Sequence, residues 1–343
     1  MSMTRLDCSR PRSLAVALLA CTAGIAHAQV AEIGVHDPVM IQQDDTYYVF
    51  ATGRGIAVWS SKDMTTWERE APVFASAPEW TDSVVPEFRN HIWAPVIYRL
   101  YGTFYLIDSV SAFGRNTSAI GVATNTTLHA DDPAFEWVDH GIVVQSVPGR
   151  DMWNAIDPNV IHDDDGSPWL AFGPYWLGMK LVRLTDDMQE VAQPEEWHTI
   201  AARHRYWKLD ERDAGDTLNG AIEAPFLFKK NGYYYLFVSW DRCCNREEST
   251  YKVVVGRSRD IRGPYVDSEN EPMTHGGGSL VVRGLDGHER WAAAGHNAAY
   301  TFDGTDYLVM HAYDRTDRGR SKLVIEPIQW DEDGWPFVRL DSP

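Results

Sequence analysis

The sequence predicts an all-β fold, a five-bladed β-propeller, and three observations carry that expectation. The first is a phrase repeated five times, clearest at residues 220–241 (GAIEAPFLFKKNGYYYLFVSWD). It places an acid at the mouth of a strand, then Pro, an apolar run, a turn and an aromatic strand. Asn231-Gly232 between alternating apolar and aromatic residues favours a two-residue hairpin turn. Further copies stand at residues 36–53, 93–110 and 156–174, with a weaker one at 295–314. The second observation is the spacing of the anchors Pro38, Pro95, Pro158 and Pro225, with Asn297 or Ala298 in the fifth place. They recur about every 55–75 residues, an internal period that marks propellers and arrays. The third is an echo after each anchor hairpin, at residues 57–61, 121–124, 181–184, 254–258 and 323–327. Each unit therefore supplies about four short strands, one propeller blade, with long loops between blades.

Residues 1–28 stand outside this scheme. Arg5, Arg10 and Arg12 precede an apolar run and then Ala26-His27-Ala28, the pattern of a signal peptide with its cleavage site. The run is too short for a membrane span. The expectation is an exported protein, secreted or periplasmic, with residues 29–343 forming one catalytic propeller domain. Losing three Arg and one Asp moves the formal net charge from −18 to −20. Such an acidic chain disfavours nucleic acid, which demands Lys and Arg at its phosphates, and equally disfavours anionic membranes and polyanionic substrates. A neutral polymer is the natural partner, and a monomer the expected state. Cys8 and Cys21 leave with the leader, so Cys243 and Cys244 remain, adjacent and without metal-ligand spacing. They are either a vicinal disulfide or a pair of packed thiols. Most of the 14 Trp and 15 Tyr are assigned to packing between sheets, since aromatics supply large buried area.

In a propeller the first strand of each blade lines the central channel, and there the repeats stop agreeing. Asp37, Ala94, Asp157 and Ala224 stand immediately before the anchor prolines, and His36, Trp93, Ile156 and Glu223 one place earlier. His296 and Asn297 fall at this level in the fifth copy. An Asp before Pro commonly serves a turn, but repeat packing alone favours one residue in every blade. Three carboxylates from blades one, three and four at matched places point instead to chemistry. Glu223 lies among Ala221, Ile222, Ala224, Pro225 and Phe226, neighbours that raise a carboxyl pKa by desolvation, as an acid catalyst requires. Two carboxylates across a cleft with a third to tune them equip a site for glycoside hydrolysis.

At these residues the chain resembles the family-43 glycoside hydrolases, through HDPVM, NHIWAPVIY, WNAIDPNVI, GAIEAPFLF and AGHNAAY, over essentially the whole mature chain. The SWDRCCN and STYKVVVGRS segments, with His311-Ala312-Tyr313 and Asp333-Gly334-Trp335-Pro336, resemble its arabinanase branch, which cuts α-1,5-linked L-arabinan. The resemblance implies a five-bladed propeller acting on arabinan, with Asp37 as general base, Glu223 as general acid, and Asp157 raising the pKa of that acid. It implies inversion of the anomeric centre, a calcium ion in the central channel beside His296, and Trp93 and Phe113 on the sugar-binding wall. Asn154, next to the middle acid, is a candidate for bonding a sugar hydroxyl. Endo action is the leading expectation. The alternatives are an exo-acting arabinanase, an arabinofuranosidase or a xylosidase with one end of the groove closed, and a sugar-binding propeller without catalysis. Residues 73–90 and 195–216 are where such a closing wall is expected.

Overall fold

The computed structural model describes residues 29–203 and 221–340. The leader expected at residues 1–28, and part of the segment expected to wall the groove, lie outside these residues. The fold is all-β, a β-propeller, but the expected five blades are corrected to six, because the described residues form six sheets. Five of them hold the five anchor phrases. The sixth is a three-stranded sheet in which Val282–Arg283 pairs in parallel with Pro336–Arg339, itself antiparallel to Gln329–Trp330. It carries no anchor phrase, and its strands come from places far apart in the chain, so no repeat in the sequence marks it.

The hairpins form as their turn chemistry requires. Ile222–Lys230 and Tyr233–Trp240 are joined by Asn231 (φ 50°) and Gly232 (φ 73°). Two successive positive φ values match the right-handed twist of the flanking strands. Aromatic and branched side chains then fill the space between neighbouring sheets. Phe50, Phe104, Leu106, Phe226 and Phe237 share one buried cluster, and Trp169, Tyr234, Trp240 and Tyr265 another.

A single backbone device recurs where these strands begin. Asp37 (φ 54°), Ala94 (φ 40°), Asp157 (φ 57°), Ala224 (φ 55°) and His296 (φ 48°) are all left-handed. The fifth copy is thereby fixed, with Asn297 in the place of the anchor proline. A left-handed residue with a Cβ is disfavoured unless its surroundings hold it there. Here each N–H donates to a side chain. Ala94 donates to Thr52 Oγ1 at 2.8 Å, Asp157 to Ser109 Oγ at 3.1 Å, and Ala224 to Asp157 Oδ2 at 3.2 Å. His296 donates to Ser239 Oγ at 2.9 Å and Asp37 to His311 Nδ1 at 3.2 Å. Every one of these acceptors lies within the preceding anchor phrase, so the five bonds run from phrase to phrase and back to the first. Closure is completed by residues 29–34, whose strand pairs with Arg320–Pro327 at the other end of the chain.

Cys243 and Cys244 are joined in a disulfide, the first of the two alternatives. Among the described residues no helix is long and apolar enough to cross a membrane.

The ring bonds are open to a direct test. Ser239→Ala leaves the His296 N–H without its acceptor in a buried setting. The expected cost is about 1–3 kcal/mol, read as a lower denaturant midpoint with an unchanged slope; an unchanged midpoint would mean the ring does not hold the fold.

Candidate active site

The left-handed turn ends one residue after Glu223 and on the very residues Asp37, Asp157 and His296, so each strand delivers its chemistry at the same height. The ladder slips at this point, between Glu223 and Phe226, Trp93 and Val96, and Gly295 and Ala298. A slip of this kind re-aims side chains at the end of a strand. Gly295 is required here. A Cβ on it would meet the Tyr251 ring at 2.1 Å, so the missing side chain is what admits Tyr251 beside Glu223.

Asp37 is the most heavily held of the acids. Its Oδ1 lies 2.7 Å from His36 Nδ1 and 2.9 Å from His296 Nδ1, and its Oδ2 accepts from Thr52 Oγ1 at 2.5 Å. Burial alone would raise its pKa, but His296 and His36 outweigh burial and hold the carboxyl well below the usual carboxylate range. Asp157 behaves oppositely. Burial raises it to about 6, against the pull of His296 and with added repulsion from Asp37. Glu223 rises furthest, to about 7, first by burial and then by repulsion from Asp157. His296 is pushed up to about 9 despite its burial, because Asp37, Asp157 and Glu223 all face it. One carboxylate is thus fixed as an anion while another keeps its proton near neutral pH, the division that general acid–base work needs.

The sequence-derived candidates divide on inspection. Asp37, Asp157, Glu223 and His296 are brought together. Trp93 pairs with Ser109, the acceptor of the Asp157 N–H, and stands half-buried at the level of the acids. Phe113 is 84% exposed, outside the buried cluster. Asn154 is buried and its Oδ1 is taken by the Ser118 hydroxyl at 2.6 Å, a bond that ties neighbouring sheets. Residues 73–90, expected as a wall, hold Trp80, which packs on Gly121 and donates to Asp139, fastening the segment to the Trp93 sheet.

Other members of the site escaped the reading of the sequence. Tyr175 is raised by the nearby Glu223 anion and by burial, and Tyr251 by burial and then Glu223. Thr52, Ser109, Ser239 and His311 act through the ring bonds. Their signal was available: a hydroxyl or imidazole recurs at the end of the second strand of four anchor hairpins. His36, Asp37 and His311 place ligand atoms within 4.8 Å of one another, a buried group that could hold a metal ion. It is not the His296-centred set that the sequence suggested.

Comparison with known proteins bears on the family of the chain. Residues 29–336 match the sequence profile of Glycosyl hydrolases family 43. The chain is similar to the "Extracellular exo-alpha-(1->5)-L-arabinofuranosidase ArbA" of Cellvibrio japonicus, 49% identical over 96% of this chain and 92% of that protein. It is 39% identical to the "Extracellular endo-alpha-(1->5)-L-arabinanase 1" of Bacillus subtilis, over 88% of this chain and 87% of the relative. Among solved structures, Cellvibrio cellulosa alpha-L-arabinanase complexed with arabinohexaose superposes with a TM-score of 0.83 at 50% identity, covering 89% of this chain and 95% of that one.

The raised pKa of Glu223 makes a prediction about stability. A carboxyl that binds its proton more tightly when folded destabilises the fold as pH climbs from its usual value of 4.5 to about 7. Glu223→Gln cannot ionise. The variant is expected to match the wild type at pH 4 and to exceed it at pH 8 by on the order of 3 kcal/mol. Equal stability of the two proteins across urea titrations at both pH values would rule out the buried, proton-holding Glu223.

Proposed function

This chain belongs to glycosyl hydrolase family 43, and on that premise we propose that it hydrolyses α-1,5-L-arabinofuranosidic linkages of arabinan from a chain end, outside the cell. The observation that carries the reaction type is the opposed state of two buried carboxyls: Asp37 held as an anion and Glu223 holding its proton to about 7. Ionised Asp37 takes a proton from water as the water oxygen attacks the anomeric carbon. Glu223 gives its proton to the departing glycosidic oxygen, so the bond breaks to an alcohol and a hemiacetal. Solvent then returns a proton to Glu223 and removes one from Asp37. Asp157 keeps Glu223 protonated by repulsion, and its Oδ2 accepts from the Ala224 N–H next to that acid. A single displacement inverts the anomeric centre. Trp93 supplies a ring for a sugar face, with Phe113 further out, and Asn154 stands beside Asp157.

Exo action is preferred over the endo action expected from the sequence, because the relative at 49% identity is named as exo-acting and the endo-acting one stands at 39%. Arabinan as substrate is supported by the same relatives and by the arabinohexaose complex of the similar structure. Export is supported by their extracellular designation.

The calcium ion implied by family resemblance would be held by Nε2 of His296 only once that nitrogen gives up the proton it keeps to about 9, its Nδ1 side remaining occupied by Asp37 at 2.9 Å. One nitrogen is a thin offering to a cation that prefers six to eight oxygens, so water would complete its shell. Bound there, it would add positive charge beside Asp37, and no step is routed through it. Calcium added to exhaustively chelated protein is expected to raise Tm; no shift would remove the ion from this reading.

Product analysis on linear debranched arabinan tests the main proposal. A single short product from the earliest time, with the inverted anomer by NMR, is expected, and kcat/KM should decline above about pH 7 as Glu223 loses its proton. Glu223→Ala should abolish the product. A ladder of mixed oligomers would establish the endo reading instead. Polymer binding without any product would leave a sugar-binding protein.

A further inference from the structure

A second layer of side chains stands behind Asp37 and ends at the disulfide. His36 Nε2 lies 3.0 Å from Tyr313 Oη, and His311 Nε2 lies 3.1 Å from the same oxygen. The Cys244 N–H donates to it at 2.7 Å. One placement of protons satisfies all these contacts together with those on Asp37. His311 Nδ1 accepts the Asp37 N–H, so its proton sits on Nε2 and donates to Tyr313 Oη. Tyr313 then receives two N–H donors, from His311 and Cys244, and passes its own proton to His36 Nε2. His36 accepts there and therefore carries its proton on Nδ1, aimed at Asp37 Oδ1 at 2.7 Å.

The outer end of the chain of bonds is fixed by covalent chemistry. The Cys243–Cys244 bridge closes a small ring across one peptide bond and so restrains the N–H that Tyr313 accepts. Cys244 is left-handed (φ 66°) and exposed, and its Sγ lies 3.8 Å from His36 Nε2. Cys243 packs with Tyr251, Ala293 and Tyr313. Neither the acid–base roles nor substrate contacts call for a disulfide at this place.

We propose that Tyr313 and the Cys243–Cys244 disulfide are positioning residues for Asp37: the bridge sets the Cys244 N–H, that N–H sets Tyr313 Oη, and Tyr313 fixes the His36 tautomer that orients the carboxylate. The inference rests on the reading of Asp37 as the base. It makes the reaction responsive to reductant, with the bridge intact in the working enzyme.

The test compares four forms of the full chain: wild type, Tyr313→Phe, Cys243→Ser/Cys244→Ser and Asp37→Ala. Each is assayed on debranched arabinan before and after tris(2-carboxyethyl)phosphine. The phosphine takes an oxygen from water while the disulfide gains two electrons and two protons. Reduction is expected to lower wild-type kcat about tenfold with KM within about twofold, and reoxidation should restore it. Tyr313→Phe and the double serine variant should sit near the reduced level and be insensitive to the phosphine. That loss of response separates positioning through Tyr313 Oη from a general loosening of structure, in which the two effects would add. An active Asp37→Ala would overturn the base reading and this inference with it. An inactive Asp37→Ala beside a wild-type-like Tyr313→Phe, or a reductant effect undiminished in Tyr313→Phe, would overturn the inference alone.

Discussion

The structure depends on five backbone N–H groups that must be paired at disfavoured left-handed residues. Each finds a side chain in the neighbouring anchor phrase, and each bond both relieves a buried donor and sets where the first strand starts. The acceptors are hydroxyls from Thr52, Ser109 and Ser239, an imidazole from His311 and a carboxylate from Asp157. The carboxylate is the exception that matters. Gly173 N–H bonds Ile156 O, which puts Gly173 in the place held elsewhere by Ser109 and Ser239, but it has no side chain to offer. Asp157 fills the gap by accepting from Ala224, and this brings its charge against Glu223.

Electrostatics then follow from position. Three carboxyls and His296 share one buried volume, and such a group cannot all be charged without cost. The two imidazoles on Asp37 settle where the negative charge stays, and burial settles that Glu223 is the one to remain neutral. The two roles are assigned by neighbours: all three are carboxyls in similar strand positions, and only what faces them differs.

Much of this was legible in the sequence, and the reasons for success and failure are physical. The Asn231-Gly232 hairpin could be read because turn chemistry is local. The acids could be read because the repeat gives each position four comparisons, and Asp37, Asp157 and Glu223 depart from them. The sixth sheet could not be read, since Val282–Arg283 and Pro336–Arg339 meet only through tertiary packing. Asn154 was named for a sugar because of its neighbour Asp157, yet Ser118, distant in sequence, claims its oxygen. The metal-capable group and the tyrosines also join residues distant in the chain. His36 and Asp37 at one end meet His311 and Tyr313 at the other, with Tyr251 and Cys244 between them.

That meeting of the two ends has a consequence for assembly. Asp37 owes its N–H partner to His311, and the strand formed by residues 29–34 is completed by Arg320–Pro327. A length of chain that stops short of His311 lacks one half of that contact. Such a length can carry every acid of the site and the Asp157–Ala224 bond, but Asp37 gains its N–H partner only when the ring closes. The base side of the site is thus tied to the closing of the ring, which no local element can supply.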